Sequence, residues 1–307
     1  MSSPLRKSLY WVGILVGGGL FLNQAWRGYQ TFSSKSLGIA NPWELIVSAG
    51  FIFSAMGIQI AAWRIMMANL GTSLTGREVL ESYVLSFLPR YIPGSVWGYV
   101  SRAEWLKQSH GTPYTISNLG SMLEIVLIFT GIGLVSGIYL FETLAGSIKW
   151  VLLSLFFSIP LIGWLAIKWG LTSSVFNFLP GKISVSNSFK IFPIRVWLEL
   201  CALHGFTWVL YGTSVYWIVK LISPDFPVAL VDTTFLFAIS WLLGFIVPFV
   251  PSGLGIREQS LSTLLNSVIF LSPGYASGVA VLSRLLSLSG ELVWLVIGVL
   301  LKRFSAR

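Results

Sequence analysis

Six times between Leu9 and Leu301 the chain runs for about 20 residues with scarcely a charge, the length that crosses the hydrocarbon of a bilayer. These runs cover roughly 9–26, 43–67, 114–141, 147–169, 196–221 and 277–301. Inside hydrocarbon no water can satisfy backbone N–H and C=O groups, so such runs close their hydrogen bonds within themselves as helices. With 55% hydrophobic and only 10% charged residues, a soluble fold of 307 residues could not hide this much apolar surface. The expectation is an all-α polytopic membrane protein, forming a single integral membrane domain over 1–307 with pseudo-repeats of about 1–142 and 143–307.

Two segments break the pattern. One, about 76–108, carries Phe87-Leu88-Pro89-Arg90-Tyr91-Ile92-Pro93-Gly94-Ser95-Val96-Trp97-Gly98, followed by Arg102 and Glu104. The other, about 231–270, carries Phe245-Ile246-Val247-Pro248-Phe249-Val250-Pro251-Ser252-Gly253-Leu254-Gly255, followed by Arg257 and Glu258. Each has an apolar approach, two prolines, a glycine-bearing break, then a basic and an acidic residue. Proline and glycine interrupt a continuous helix, and each arm is too short to cross alone, so each segment is expected to dip in and return. Broken apolar segments at matching places in two halves point to a transported-substrate site.

The basic residues set an orientation. With the N-terminus in the cytoplasm, thirteen of the 20 Lys and Arg fall in inner loops and tails and four outside, while Arg90, Arg257 and Arg284 stay at membrane depth. This asymmetry follows the positive-inside rule and places both termini in the cytoplasm of a plasma-membrane protein. Trp26, Trp43, Trp150 and Trp169 fall at span ends, as an aromatic belt requires. Asn23-Gln24-Ala25-Trp26 makes a poor cleavage site, so the first run reads as a retained span rather than a signal peptide. In this orientation the two broken segments enter from opposite faces, which makes about six full spans plus two re-entrant helical hairpins in an inverted-topology repeat.

The paired breaks, Pro93-Gly94-Ser95-Val96-Trp97-Gly98 and Pro251-Ser252-Gly253-Leu254-Gly255-Ile256-Arg257-Glu258, resemble the signature of the lysylphosphatidylglycerol synthase transmembrane region. This is the flippase-like membrane domain of the bacterial multiple peptide resistance factors. The resemblance extends over nearly the whole chain in length and span order, and the second motif is the more specific. It implies movement of an amphipathic lipid between leaflets. The family's soluble aminoacyltransferase domain has no counterpart here, so synthase activity is not implied. An aminoacylated phospholipid and a polyprenyl-phosphate-linked sugar are equal candidates for cargo.

A headgroup in hydrocarbon needs replacements for its lost water. A helix that starts at a hairpin tip offers unpaired N–H groups and the positive end of its dipole. Glycines let a phosphate reach the backbone. Gly94, Gly98, Gly253 and Gly255 are the candidates for such a cradle, although the same glycines could serve only the turn, and Pro93 and Pro251 beside them are candidate lipid-binding residues. Arg257 stands in the first turn of an arm, where the dipole disfavours a cation. An anionic ligand explains it, and so does pairing with Glu258 or another acid. Arg90 lies in the entry arm of the first hairpin and is a candidate to reach the same lipid-binding cavity, and Arg102 and Glu104 could simply face cytoplasmic water. Charges at the centre of a span cost about 2.5–3.5 kcal/mol each. Arg284 and Glu291, seven residues apart on one helix face, are therefore candidate ligands or pair-formers, and Glu124, Glu199, His204 and Glu291 are candidates for a charge or proton relay.

These residues favour a lipid flippase or transporter over two other classes. A membrane glycosyltransferase-type enzyme, or an accessory subunit acting on lipid-linked sugar, would need acids on an outer loop. The first outer loop, 27–42, has none, and the loop after the fifth span offers only the separated Asp225 and Asp232. An ion or small-solute channel can also be built from opposed hairpins. A single cysteine, Cys201, and two histidines leave nothing for a metal cluster. No cofactor is expected, and no ATP-binding motif is present. The expected partners are membrane lipids, with a separate synthase or glycosyltransferase or a second copy as further candidates. The net charge of +9 suits anionic headgroups and argues nothing for nucleic acid.

Overall fold

A computed structural model describes residues 3–34, 42–92, 97–168, 193–248 and 250–304. Everything regular among the described residues is helical. The elements are α1 (Ser3–Ser34), α2 (Pro42–Asn69), α3 (Gly76–Val84), α4 (Trp97–His110), α5 (Tyr114–Thr143), α6 (Ile148–Lys168), α7 (Ile194–Ile222), α8 (Leu230–Ile246), α9 (Ile256–Ile269) and α10 (Pro273–Phe304). Short 3-10 turns stand at Leu88–Tyr91 and Pro251–Gly253.

Four helices are long and apolar enough to cross a membrane: Pro42–Asn69, Tyr114–Thr143, Ile148–Leu165 and Pro273–Leu301. They match four of the six expected spans, and the chain has the makeup of a helical membrane protein. The other two runs, 9–26 and 196–221, lie inside the continuous helices α1 and α7, 32 and 29 residues long. Polar residues dilute their apolar character: Asn23, Gln24 and Arg27 in α1; Arg195, Glu199, His204 and Lys220 in α7.

Both broken segments are helix–break–helix. The first has arms of 9 and 14 residues, α3 and α4. The second has arms of 17 and 14, α8 and α9. At 1.5 Å per residue the longest arm reaches only about 26 Å, short of the ~30 Å of hydrocarbon. The break after α8 turns on three positive φ angles, +50° at Ser252, +67° at Gly253 and +78° at Gly255, with Leu254 at −53° between the last two. Glycine adopts such angles freely.

The chain divides into two compact units. The first comprises Met1–Met56, Leu85–Gly98 and Val209–Ile297. Its apolar centre joins α7, α8, α9 and α10 through residues such as Val215, Ile218, Leu236, Leu265 and Val279, all nearly or fully buried. Small residues bring α1 against the second break: Gly17 leaves room for the Leu254 carbonyl and the Val250 side chain. A side chain at Gly255 would in turn strike the Gly17 carbonyl. Buried Gln24 of α1 donates to Gln259 of α9 at 2.6 Å, and Ser48 of α2 meets Ser214 of α7 at 2.7 Å.

The second unit comprises Gly57–Val84, Tyr99–Trp208 and Gly298–Arg307. Here α5 and α6 pack along a stripe where Gly133 and Gly137 face Ile159 and Phe156. Gly120 admits the Trp63 ring, and the Trp197 indole donates to the Pro160 carbonyl at 2.7 Å.

Candidate functional site

The site of interest lies in the first unit, where both breaks meet the last long helix. Glu258 is the third residue of α9, and one of its oxygens accepts the Gly255 N–H at 2.5 Å, which caps the helix. A carboxylate in that place also sits at the positive end of the helix dipole. Its other oxygen lies 3.3 Å from Arg284 Nε of α10. Glu258 and Arg284 are 2% and 6% exposed, so this is a buried ion pair. Arg284 also reaches the Ser252 carbonyl in the break, at 3.5 Å.

The first break arrives at the same arginine. The Tyr91 ring lies 5.6 Å from the Arg284 guanidinium, and its hydroxyl donates to Glu291 at 2.9 Å. One tyrosine thus spans the two charges that α10 carries on a single face. Arg284 and Glu291 were expected to share that face, and they do, but each is engaged separately and Tyr91 bridges them. Nothing in the sequence reading singled out Tyr91. Its only signal was a hydroxyl-bearing aromatic beside Arg90 in the break.

Arg257 follows a different path from its neighbour. Glu258 is committed to Arg284 and to Gly255, and no ion pair joins it to Arg257 among the described residues. The Arg257 guanidinium lies over the Trp241 ring at 4.8 Å. Its Nε is buried with no hydrogen-bond partner among the described residues. Gly244 and Gly253 make room for its arm: a side chain at Gly253 would come within 3.1 Å of that Nε, and one at Gly244 would overlap the arm outright. Gly244 and Trp241 were not foreseen, because their role depends on a neighbour 13 or more residues away. Arg257, Glu258, Arg284, Ser240, Ser283 and Ser287 border a cavity with about 30 Å³ open to a water-sized group. That is room for about two waters, not for a whole headgroup.

Three backbone donors at the tip are already used within the break. The N–H groups of Gly253, Leu254 and Gly255 bond to the Val250 carbonyl, the Pro251 carbonyl and the Glu258 carboxylate. Pro251 is buried in the turn. Gly253 and Gly255 provide chain reversal and close packing here, and the side chains with donors at the cavity are arginines and serines. At the first break, Gly98 packs against the Arg90 side chain and the Ser86 carbonyl. Arg90 donates to Ser86 Oγ at 3.3 Å and lies 5.0 Å from the Phe87 ring. Pro93 and Gly94 lie outside the described residues.

Three of the relay candidates, Glu124, Glu199 and His204, belong to the second unit. In the second unit Glu124 is buried and holds Arg102 at 2.6 Å, and it accepts the Tyr83 hydroxyl at 2.7 Å. Arg102 does not face water as the sequence allowed: it is fully buried, with its guanidinium 4.2 Å from the Trp63 ring and 4.3 Å from Tyr83. Three aromatic rings take the place of solvent, since Tyr99 completes the surround at 5.8 Å. Glu104 stays exposed and accepts from Tyr114 and Gln108, both at 2.7 Å. Glu199 is exposed. His204 is buried, with Nδ1 2.9 Å from the Leu200 carbonyl of its own helix. No group of His, Cys, Asp and Glu among the described residues is arranged to hold a metal.

The two units share one device. In each, the arm that follows a break is tied to the next long helix by a buried ion pair, Arg102 of α4 to Glu124 of α5 and Glu258 of α9 to Arg284 of α10, with the signs exchanged. No family model matches the chain, and a search of curated proteins finds no match either.

Proposed function

We propose that this protein is a lipid flippase or transporter that moves an anionic lipid, a phospholipid or a polyprenyl-phosphate-linked lipid, between leaflets. In this reading six helices cross the plasma membrane, both termini are cytoplasmic, and the two broken segments are re-entrant hairpins of an inverted repeat. The resemblance to the lysylphosphatidylglycerol synthase transmembrane region agrees with it, with no synthase activity attached. The arm lengths and the sign-exchanged pairs support the repeat.

The observation that carries the proposal is the convergence of both breaks on Arg284, beside a second arginine whose Nε has no partner. Two cations and one acid border the cavity, so it favours an anion. Arg284 is already balanced by Glu258 and held by Tyr91. Arg257 is the group left to meet a headgroup oxygen, and Trp241 keeps its guanidinium in place. Because the present cavity admits only a water-sized group, the headgroup enters by spreading the elements around it, and a phosphate oxygen accepts from Arg257.

Native mass spectrometry of the purified full chain tests this reading. A lipid with an anionic phosphate headgroup is expected to remain bound, and Arg257→Ala is expected to lose it. Retention of only zwitterionic lipids, in the same amount by both proteins, would refute it.

A further inference from the structure

The cavity beside Arg257 poses an electrostatic problem that lipid transport alone does not solve. Its border carries Arg257 and Arg284 against Glu258, one positive charge in excess. Glu258 is used twice, by Arg284 and by the Gly255 N–H. Arg257 stands in the first turn of α9, where the dipole adds to the cost of a cation, and its Nε is buried without an acceptor. Glu258 and Glu291 act on Arg257 through space, but neither pairs with it among the described residues, so a buried donor is left without an acceptor, which is costly. The ring of Trp241 offsets part of that cost, but a ring face gives no hydrogen-bond acceptor in the plane of the guanidinium.

We propose that between transport events the cavity holds one small monovalent inorganic anion, a chloride in physiological salt, as the resting counter-ion of Arg257. The size fits: about 30 Å³ is open, enough for a halide or about two waters and too little for a phosphate ester. The wall chemistry fits as well. Ser240, Ser283 and Ser287 now donate to carbonyls of their own helices at 2.7, 2.8 and 2.8 Å. Those bonds are local additions to the helix ladder, so a hydroxyl can turn from its carbonyl to an anion without breaking the helix. The site then offers the Arg257 Nε–H and up to three hydroxyl hydrogens to a spherical anion. A headgroup oxygen arriving at Arg257 displaces the halide, so the resting ion gives the buried Nε–H an acceptor while the site is empty of lipid. The inference stands on the charge and size of the cavity and does not require lipid movement.

The test is thermal unfolding of the purified full chain in detergent, with sodium gluconate replaced by chloride or bromide at constant ionic strength. The midpoint is expected to rise by several degrees and to saturate, and Arg257→Gln is expected to abolish the rise while keeping the helical circular dichroism signal. Constant ionic strength removes general screening, and the variant removes non-specific binding to a chain of net charge +9. Should Arg257→Gln fail to fold, anomalous diffraction from bromide-soaked crystals of the unmodified protein decides: a bromide peak beside Arg257 supports the proposal. No halide-dependent rise, a rise unchanged in a folded Arg257→Gln, or bromide absent from the cavity overturns it. Such a failure leaves the lipid assignment standing, since that rests on bound lipid and on translocation.

Discussion

Arg284 Nε lies 3.3 Å from Glu258 Oε1, an ion pair that joins the last long helix to the first turn of the helix after the second break. Removing one partner of a buried pair leaves the other charge stranded, at a cost of about 3–5 kcal/mol. Glu258→Gln is therefore expected to lower stability by that order through loss of the ion pair, since the Gln amide oxygen can still accept the Gly255 N–H. The double variant Glu258→Gln with Arg284→Met is expected to recover most of it, because Arg284 is no longer left as a stranded charge. Denaturant or thermal unfolding in detergent checks both. Full stability in Glu258→Gln alone would contradict the pairing.

Tyr91 offers a way to separate ring from hydroxyl. Tyr91→Phe keeps the ring over Arg284 and loses the hydrogen bond to Glu291. A hydrogen bond to a charged group is worth about 1.5–3 kcal/mol, so a loss of that order is expected. Tyr91→Leu is expected to lose more, since the cation–π contact goes too. Equal stability of the two variants would show that the ring adds nothing at Arg284.

Much of this architecture was legible in the residues. Long uncharged runs fixed the helical membrane class, and Pro89, Pro248 and Pro251 with their glycines located both breaks to within a few residues. The first turn of α9 was identified from Arg257 and Glu258, but not the division of labour between them. Glu258 caps its own helix through Gly255, a local spacing that could have been read, and pairs with Arg284, 26 residues on in the chain, which could not. Arg102 illustrates the limit most clearly. It stands on a helix of mixed polarity, where a water-facing reading is natural, and only the fold brings Trp63, Tyr83 and Glu124 around it. Tyr91, Trp241 and Gly244 were missed for the same reason, since their partners come from distant segments.

The Arg102 surround in the second unit makes its own prediction. Glu124→Gln is expected to strand Arg102 among aromatic rings and to destabilise the protein by about 3–5 kcal/mol. Tyr83→Phe, which keeps the ring and the ion pair, is expected to cost less. A proton carrier at Glu124 would tolerate the isosteric amide with little loss of stability, so unfolding measurements on Glu124→Gln separate a structural pair from a relay.

The start of α3 carries a pH signature outside the four candidate spans. The Thr75 N–H donates to Glu78 at 2.8 Å, and the Glu78 N–H donates back to the Thr75 hydroxyl at 3.4 Å. The backbone bond from Thr75 comes first, the Thr75 hydroxyl second, and together they hold the Glu78 carboxyl below its ordinary value of 4.5. A carboxylate depressed in the folded state adds stability that is fully present above 4.5 and is lost as pH falls through the lower, folded-state value. Glu78→Gln keeps an oxygen for the Thr75 N–H and loses only the charge, so it is expected to cost at most about 0.5 kcal/mol near neutrality and progressively less below 4.5. A stability difference that does not change with pH would contradict this.

Lipid movement itself is the most direct test. The full chain is reconstituted in vesicles carrying a fluorescent anionic lipid, and transfer between leaflets is read as loss of accessibility to a membrane-impermeant quencher. We expect the unmodified protein to accelerate transfer, and Arg257→Ala, folded and inserted, to lose that acceleration by tenfold or more, corresponding to about 1.4 kcal/mol of lost stabilisation. Transfer by Arg257→Ala at the unmodified rate, or no acceleration by the unmodified chain for phospholipid and polyprenyl-phosphate probes alike, would contradict the account.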